Sequence, residues 1–456
     1  MSTLSPDLTA SLPTSLSPSL SPSIPTVAAD PPKPWRLGTR LAFRWCVAYF
    51  GVCYILLTSL GSLSLGLIHP LHSPDSLPPL KNMIEWTAVH VLHATLPLSD
   101  NGGSGDKTGD WAEVVLLLTI GTMGAIAWSW LDRARPRYGR VQVWFRWLVS
   151  YRLGLAMVSY GATKVIPLQM PAPSLARLLQ PYGTFSPMGA LWSFMGASPA
   201  YEIFAGSIEL LAGILLLTPG TTTLGALVAL VAMTNVFVLN MTYDVCVKLF
   251  SFHLLLMSLV LLAPDAKRLA TVILLRRAVP AAPEPPLVRN RLARRILIVA
   301  QVLLAVYVVG RAMSYNISSW TVYGSGAPRS PVRGIWTVET MTIDGQPHPP
   351  LTTDTTRWHR VIFDRNDVTF IQLMDDTLQR YQTTLDLSKQ ALTFTKPPDK
   401  SWNAHLTLQR PTPTRVTIDG TMDGHVLHTE MTAESLDRLL LMNQPFHWIE
   451  ETPISK

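Results

Sequence analysis

Glu209 stands inside the run YEIFAGSIELLAGILLL, flanked by Ile208, Leu210 and Leu211. An ionisable group placed deep in hydrocarbon costs about 3 kcal/mol on insertion scales, so it marks either a function or an ion pair. It is one of a set. Lys164 ends the run YRLGLAMVSYGATKV, with Tyr160 one turn before it and Arg152 about three turns before it. Glu202 opens the Glu209 run, Asn235 and Asn240 close the next one, and Asp244, Lys248 and His253 begin YDVCVKLFSFHLLLM. A carboxyl and an imidazole near a lysine are groups that move protons. The amides, Asp244 and Lys248 suit a polar head group. Each residue also has a structural reading. Asp244 can cap a helix start and pair with Lys248 at i+4. Lys164 can snorkel outward or neutralise Glu202. His253 can be a satisfied core histidine, Arg152 an anchor near the inner side, and Glu209 half of a structural lock.

The elements that carry these residues are membrane spans. The 456 residues are 48% hydrophobic and 15% charged, with mean hydropathy +0.24, against about 25% charged in ordinary soluble domains. Apolar runs long enough to cross a bilayer fall near 42–67, 112–131, 146–166, 201–218, 222–241, 246–263 and 295–313. Lys and Arg cluster before the first (Lys33, Arg36, Arg40, Arg44), after the second (Arg133, Arg135, Arg137, Arg140) and after the sixth (Lys267, Arg268, Arg276, Arg277 and onward to Arg295). Asp75, Glu85, Asp100, Asp106 and Asp110 occupy the first intervening loop. One orientation satisfies every loop: N-terminus in the cytoplasm, an odd number of spans, and the C-terminal part outside, in the periplasm of a bacterial cell. The net charge of +7 thereby serves topology, and nucleic acid is not an expected partner. In this frame Lys164, Glu202, Asn240, Asp244 and Lys248 fall near the outer surface, with Glu209 and His253 roughly 10–14 Å deeper. The expectation is one polar layer, open to the outer face.

Residues 1–35 are a Ser/Pro-rich repeat that cannot build a core, and the composition predicts a disordered tail. Residues 36–315 form the helical bundle. Segment 82–96 reads as an interfacial helix and 167–199 as a loop with a short or re-entrant helix. Cys46 and Cys53 are too far apart along a helix to bridge, and with Cys246 they read as small apolar residues. His90 and His93 at i and i+3 could share an ion with Asp106 or His253, but no spacing fixes further ligands, and no metal centre is read.

From residue 316 to 456 the pattern changes to short alternating runs. These are GIWTVETMTIDG, RWHRVIFDR, DVTFIQLMDD, LQRYQTTLDLS, ALTFTK, AHLTLQR, TRVTIDGTMDG and HVLHTEMT, separated by turn residues. Eight such strands predict an extracytoplasmic all-β domain, an antiparallel barrel or sandwich, with Trp336, Phe363, Phe370, Leu387 and Phe394 on its inner face. Gly334-Ile335-Trp336 resembles the G-x-W that opens lipocalin barrels.

The helical motifs also carry a resemblance. YRLGLAMVSYGATKV, YEIFAGSIELLAGILLLTPGTTTLGAL and KLFSFHLLLMSLVLLAPD resemble the four-helix core of DoxX-like membrane proteins, through Gly161-x-x-Lys164 and Glu209-x-x-x-Gly213. SGDKT, YGTFSPMGALWSFMG, NMTYDVCVKLFSFHLL and FHWIEETP resemble a bacterial subgroup of that family with extra spans and a C-terminal β domain. Lys107 and Cys246 depart from the subgroup's usual Thr and Pro, and Cys246 sets a thiol beside the expected polar layer. The resemblance implies a DoxX-like core over about 146–265 within a bundle of seven spans. It also implies a link to quinone-coupled redox chemistry. Three functions remain open. The first is a redox-linked protein taking a quinone or other lipophilic molecule, with Glu209, His253 and Lys164 handling protons and Asp244, Lys248, Asn240, Tyr160, Glu202 and Asp106 binding. The second is a non-enzymatic assembly or maturation factor whose β domain docks a periplasmic protein partner. The third is a small-solute transporter.

Overall fold

The computed structural model describes residues 34–54, 78–98, 105–280, 287–396, 399–444 and 446–452. The expected disordered tail, apart from Pro34 and Trp35, and the second half of the first expected span lie outside the described residues.

The chain enters through α1 (Leu37–Cys46), which continues as a π-helical segment, Val47–Tyr54. Then come α2 (Pro78–His90), α3 (Thr108–Leu131), α4 (Gly139–Val165), two short helices α5 (Leu175–Leu179) and α6 (Pro187–Ala197), and α7 (Pro199–Leu217). They are followed by α8 (Thr222–Thr242), α9 (Lys248–Leu262), α10 (Ala266–Ile273) and the long α11 (Arg291–Tyr323). Among the described residues five helices are long and apolar enough to cross a membrane: α3, α7, α8, α11, and α9 with its continuation to Ile273. The chain is a polytopic membrane protein. α4 has 27 residues, about 40 Å of helix, with its apolar character diluted by Arg140, Arg146, Arg152 and Lys164. It is the enclosed centre of the bundle, and most of its residues from Val149 to Ala162 are buried.

Glycine sets the closest packing. Gly154 and Gly161 on α4 face Gly206 and Gly213 on α7, and the seven-residue spacing keeps each pair on one stripe. A Cβ at Gly161 would lie 2.4 Å from the Leu210 backbone nitrogen, and one at Gly213 would lie 2.8 Å from the Val158 nitrogen. Small residues here let two backbones touch, the usual device where hydrocarbon gives no hydrophobic drive to association. Around this seam Leu153, Ala156 and Met157 pack with Ala212, Leu216, Ala229, Leu254 and Met257. α11 lies outside α4, with Ala305, Val308 and Ala312 against Tyr151, Leu155 and Val158. At the Arg-rich end, Arg44 donates to the Tyr138 hydroxyl (2.8 Å) and the Asp132 carbonyl (2.6 Å). Arg146 reaches Thr223 (2.8 Å) and Asp265 (3.3 Å).

The C-terminal part is an antiparallel barrel. Its strands are β1 (Arg329–Ile343), β2 (Gln346–Pro347), β3 (Trp358–Arg365), β4 (Val368–Leu373), β5 (Leu378–Asp386), β6 (Ala391–Lys396), β7 (Asp399–Thr412), β8 (Arg415–Met422) and β9 (His425–Ala433). Neighbours pair in sequence from β3 to β9, and β1 pairs with both β3 and β9, so eight strands close the barrel while β2 is a short addition beside β1. Asp344-Gly345 and Asp423-Gly424 take positive φ, as tight hairpin turns require. The interior is filled by side chains including Trp336, Trp358, Phe363, Phe394 and Ile418. The Trp336 indole donates to the Val332 carbonyl at 3.0 Å, and the Arg410 guanidinium lies over its ring at 5.7 Å.

The inner face differs from expectation at two residues. Phe370 pairs with Ile362 on the outer face, and Leu387 sits 46% exposed in a turn. The reason is that this outer face is also apolar. Ile335, Ile362 and Phe370 pack on Leu175, Ala176, Leu178 and Leu179 of α5, so the barrel docks on the loop between α4 and α7. The Asp364 carboxylate accepts from the Leu175 backbone N–H at 3.0 Å and pairs with Arg333 at 2.9 Å. Arg365 also donates to the Tyr323 carbonyl, at 3.0 Å, where α11 ends.

A pH-dependent element lies between β2 and β3. Asp354 Oδ1 accepts from Thr356 N (2.8 Å), Thr356 Oγ1 (2.7 Å) and Arg357 N (3.0 Å). Burial pushes the carboxyl up, but these bonds and the His348 ring outweigh it and hold the group well below the usual carboxylate range. A lowered carboxyl stabilises the fold above its unfolded pKa, about 4, and that contribution is lost as pH falls through the folded value. Asp354→Asn is therefore expected to lower barrel stability at neutral pH. Thermal unfolding should show the deficit shrinking as the pH is taken below about 4; a deficit constant with pH would count against the assignment.

Candidate functional site

A cavity of ≈160 Å³ lies between α4, α7, α8 and α9. The segment between α4 and α7 covers it with Gln169, Met170, Leu191, Trp192 and Met195. Most of the lining is apolar, including Met157, Phe204, Met233, Val236, Phe250 and Leu254. Tyr160, Lys164, Gln169, Glu209, Asn235, Asn240 and Ser251 supply the polar groups.

Lys164 and Glu209 form a direct, buried ion pair. Lys164 neither snorkels outward nor pairs with Glu202, and geometry explains its actual partner. Cα–Cβ bonds tilt toward a helix's N-terminus. The Lys164 chain therefore points back down α4, the Glu209 chain points up α7, and the two meet across the glycine seam. The Asn240 amide donates to Ser251 Oγ at 3.0 Å. Glu202 is fully buried at the base of the cover, where its Oε1 accepts from the Met170 backbone N–H at 3.0 Å.

The single polar layer expected from the sequence is divided into three groups. The cavity brings together Lys164, Glu209, Tyr160 and Asn240, with Glu202 beside it. His253 lies elsewhere: Phe250, Ser251 and Leu254 of α9 face the cavity, and His253 is two residues from Ser251, about 200° around the helix. Its Nδ1 meets the Leu249 carbonyl at 2.7 Å and its Nε2 the Tyr49 hydroxyl at 2.6 Å. A carbonyl only accepts, so Nδ1 carries the hydrogen and a neutral ring takes the Tyr49 O–H at Nε2. Tyr54 stacks on the ring at 4.5 Å and 4°. Arg152 and Glu113, both buried, lie within electrostatic range of Tyr54. Tyr160 interacts with both Glu209 and Arg152 and so stands between the two groups.

Asp106, Asp244 and Lys248 form the third group, at the start of α9. Asp106, not Asp244, holds the helix N-terminus, accepting from the backbone N–H of Lys248 and Leu249 at 2.9 Å each. Asp244 has φ +51° and pairs with Lys248 at 2.7 Å on the surface. The Gly105 N–H donates to the Cys246 carbonyl at 2.8 Å, joining the SGDKT and NMTYDVCVK segments. Asp106→Ala is expected to cost about 0.5–2 kcal/mol of stability, as for other lost helix caps. The unfolding midpoint should drop, and Asp244→Ala should cost less.

No family model matches the chain, and no solved structure matches it. It is similar to the uncharacterized protein YwoB of Bacillus subtilis (strain 168), with 39% identity over 77 residues, covering 17% of this chain and 50% of YwoB. The chain thus spans half the length of that curated relative, whose name carries no activity.

Sequence reading passed over Gln169, Trp192, Tyr49, Tyr54 and Glu113. Glu113 carries the same signal as Glu209, a carboxylate entering an apolar run. The tyrosines read as ordinary apolar positions, and the loop residues have no periodicity to mark them.

Proposed function

We propose that this chain is a DoxX-like protein of the bacterial inner membrane that holds a lipophilic small molecule in the cavity between α4, α7, α8 and α9. The charge distribution of its loops supports seven spans with the N-terminus in the cytoplasm and the barrel in the periplasm. A strand count of eight and the G-x-W at Gly334–Trp336 favour a lipocalin-like barrel. The observation that carries the ligand reading is the cavity itself: mostly apolar walls with a few polar groups among them. Its ≈160 Å³ is close to the ~150 Å³ that accepts one benzene ring. A ring-headed lipid fits that size, with its tail lying between helices, and a quinone is the member of that class implied by the DoxX-like resemblance.

Native mass spectrometry of the purified protein with its lipids retained tests this. A stoichiometric small molecule, lost when Ala232→Phe fills the cavity, is expected. An empty bundle would overturn the reading.

A second reading rests on the C-terminal segment, where Phe446, Trp448 and Ile449 are 76%, 93% and 79% exposed. Such a patch suits an assembly or maturation factor that docks an envelope protein. Deleting residues 440–456 would then abolish function while the cavity variant leaves it intact.

A further inference from the structure

We infer that a second site, at the Arg-rich end of the bundle, seats an anionic phospholipid, with an acyl chain between α1 and α4 and the head group on Arg140 and Arg294. A groove of ≈280 Å³ runs between these two helices. Val47, Gly51 and Val52 of α1 form one wall, and Val141, Trp144 and Trp147 of α4 form the other. Phe145 is buried beneath them, whereas Val52 and Trp144 are half exposed and form the rims. The groove is separate from the cavity, whose lining on α4 begins at Ala156, about 12 Å beyond Leu148.

The helices α1, α4 and α11 all start at this end. Arg44 ties α1 to Tyr138 at the start of α4, and α11 meets the barrel only at its far end, Tyr323. Arg140 precedes Trp144 by one turn and Trp147 by two, so it stands at the mouth of the groove on the same stripe. Its Cα–Cβ bond tilts toward the helix start, away from the hydrocarbon. Trp147 also packs on α11, in the cluster that joins Tyr151 to Ala305. Arg140 lies three turns before Tyr151, and Arg294 three turns before Ala305. The two arginines therefore come to one level, about 16 Å from that contact. Both are exposed. Asp132 and Asp265, the acidic side chains of this end among the described residues, already hold Arg135, Arg146 and Arg268. Two unmatched cations over an apolar groove, with tryptophan between them and the hydrocarbon, suit a phosphodiester and its chain. A zwitterionic lipid brings an ammonium group of its own, which the arginines repel.

The test uses delipidated full-length protein in detergent, titrated with dioleoyl phosphatidylglycerol or dioleoyl phosphatidylethanolamine and followed by native mass spectrometry. One phosphatidylglycerol is expected to bind saturably, about tenfold or more tightly than phosphatidylethanolamine, since each arginine near a head group is worth about fivefold. Arg140→Gln/Arg294→Gln should bring the two lipids level. Arg276→Gln/Arg277→Gln removes equal charge from the other side of α4. There Arg146, about 200° around the helix from Trp144, faces Thr223 and Asp265, from which α10 continues. That variant should keep the preference. Val52→Trp fills the groove from its rim and should weaken both lipids. Equal binding of the two lipids by the parent would overturn the anionic head group. An equal loss of preference in Arg276→Gln/Arg277→Gln would replace the site by the diffuse field of a basic surface. Saturable binding of neither lipid, or Val52→Trp without effect, would overturn the groove as a lipid seat.

Discussion

Lys164→Met is expected to destabilise the bundle by about 3–5 kcal/mol, the cost of removing one member of a buried pair. The substitution leaves the Glu209 carboxylate at a mostly apolar cavity without the cation that pairs with it. Both side chains are under a tenth exposed, at 7% and 4%, so solvent does not screen the loss. The companion experiment is Lys164→Met/Glu209→Met. Apolar side chains of similar volume often replace a buried pair at little cost, so the double variant should recover most of what the single one loses. The coupling is then read directly from the cycle. Detergent-induced unfolding of reconstituted protein, followed by tryptophan fluorescence, measures both. A single variant as stable as the parent would show that the pair does not hold α4 against α7.

Gly161→Val is expected to be at least as damaging. The new Cβ would stand 2.4 Å from Leu210 N, 2.8 Å from Leu210 Cα and 2.9 Å from Gly206 O. All three are backbone atoms, so no rotamer change can make room and the two helices must part. Overpacking ordinarily costs about 1–3 kcal/mol, and prising a glycine seam apart also weakens the van der Waals attraction between the two backbones along its length. Gly124→Ala and Gly310→Ala are the controls, because a Cβ at either meets nothing within 4 Å. These should leave stability unchanged or raise it by up to about 1 kcal/mol, the helix advantage of alanine. Size-exclusion profile and unfolding midpoint distinguish the two classes. A monodisperse, fully stable Gly161→Val would mean that α4 and α7 do not touch there.

The strands were legible because alternation and turn chemistry agree along the tail, from IDG at Gly345 to MDG at Gly424. What alternation could not show was that the barrel has a second apolar face. Val361-Ile362-Phe363 is a run of three, with Ile362 turned toward α5. Phe370 follows it outward, which is why a rule of one buried face misplaced that residue. In the helices, depth was readable from the rise per residue, and Lys164 and Glu209 stand out on that basis. Rotation about the axis was not readable. Glu209 and His253 sit at comparable depths by counting, yet one faces the cavity and the other faces Tyr49 and Tyr54. The π-helical turn at Val47–Tyr54 shifts the phase of α1, and no residue type there announces it. The cover of the cavity was invisible for another reason. Gln169 and Trp192 gain their place from the chain's path between helices, and a path leaves no periodic trace.

The hydrogen bond from Leu175 to Asp364 joins residues 189 positions apart. The ribosome therefore completes every helix around the cavity well before it makes the carboxylate that fastens the covering segment. At that stage the covering segment is held to the bundle by its own contacts, among them the Met170 N–H on Glu202 and the packing of Leu191 and Met195 on Val245. The barrel then adds a second clasp from the far side of the covering segment, so the pocket's cover is pinned by two parts of the chain made at different times.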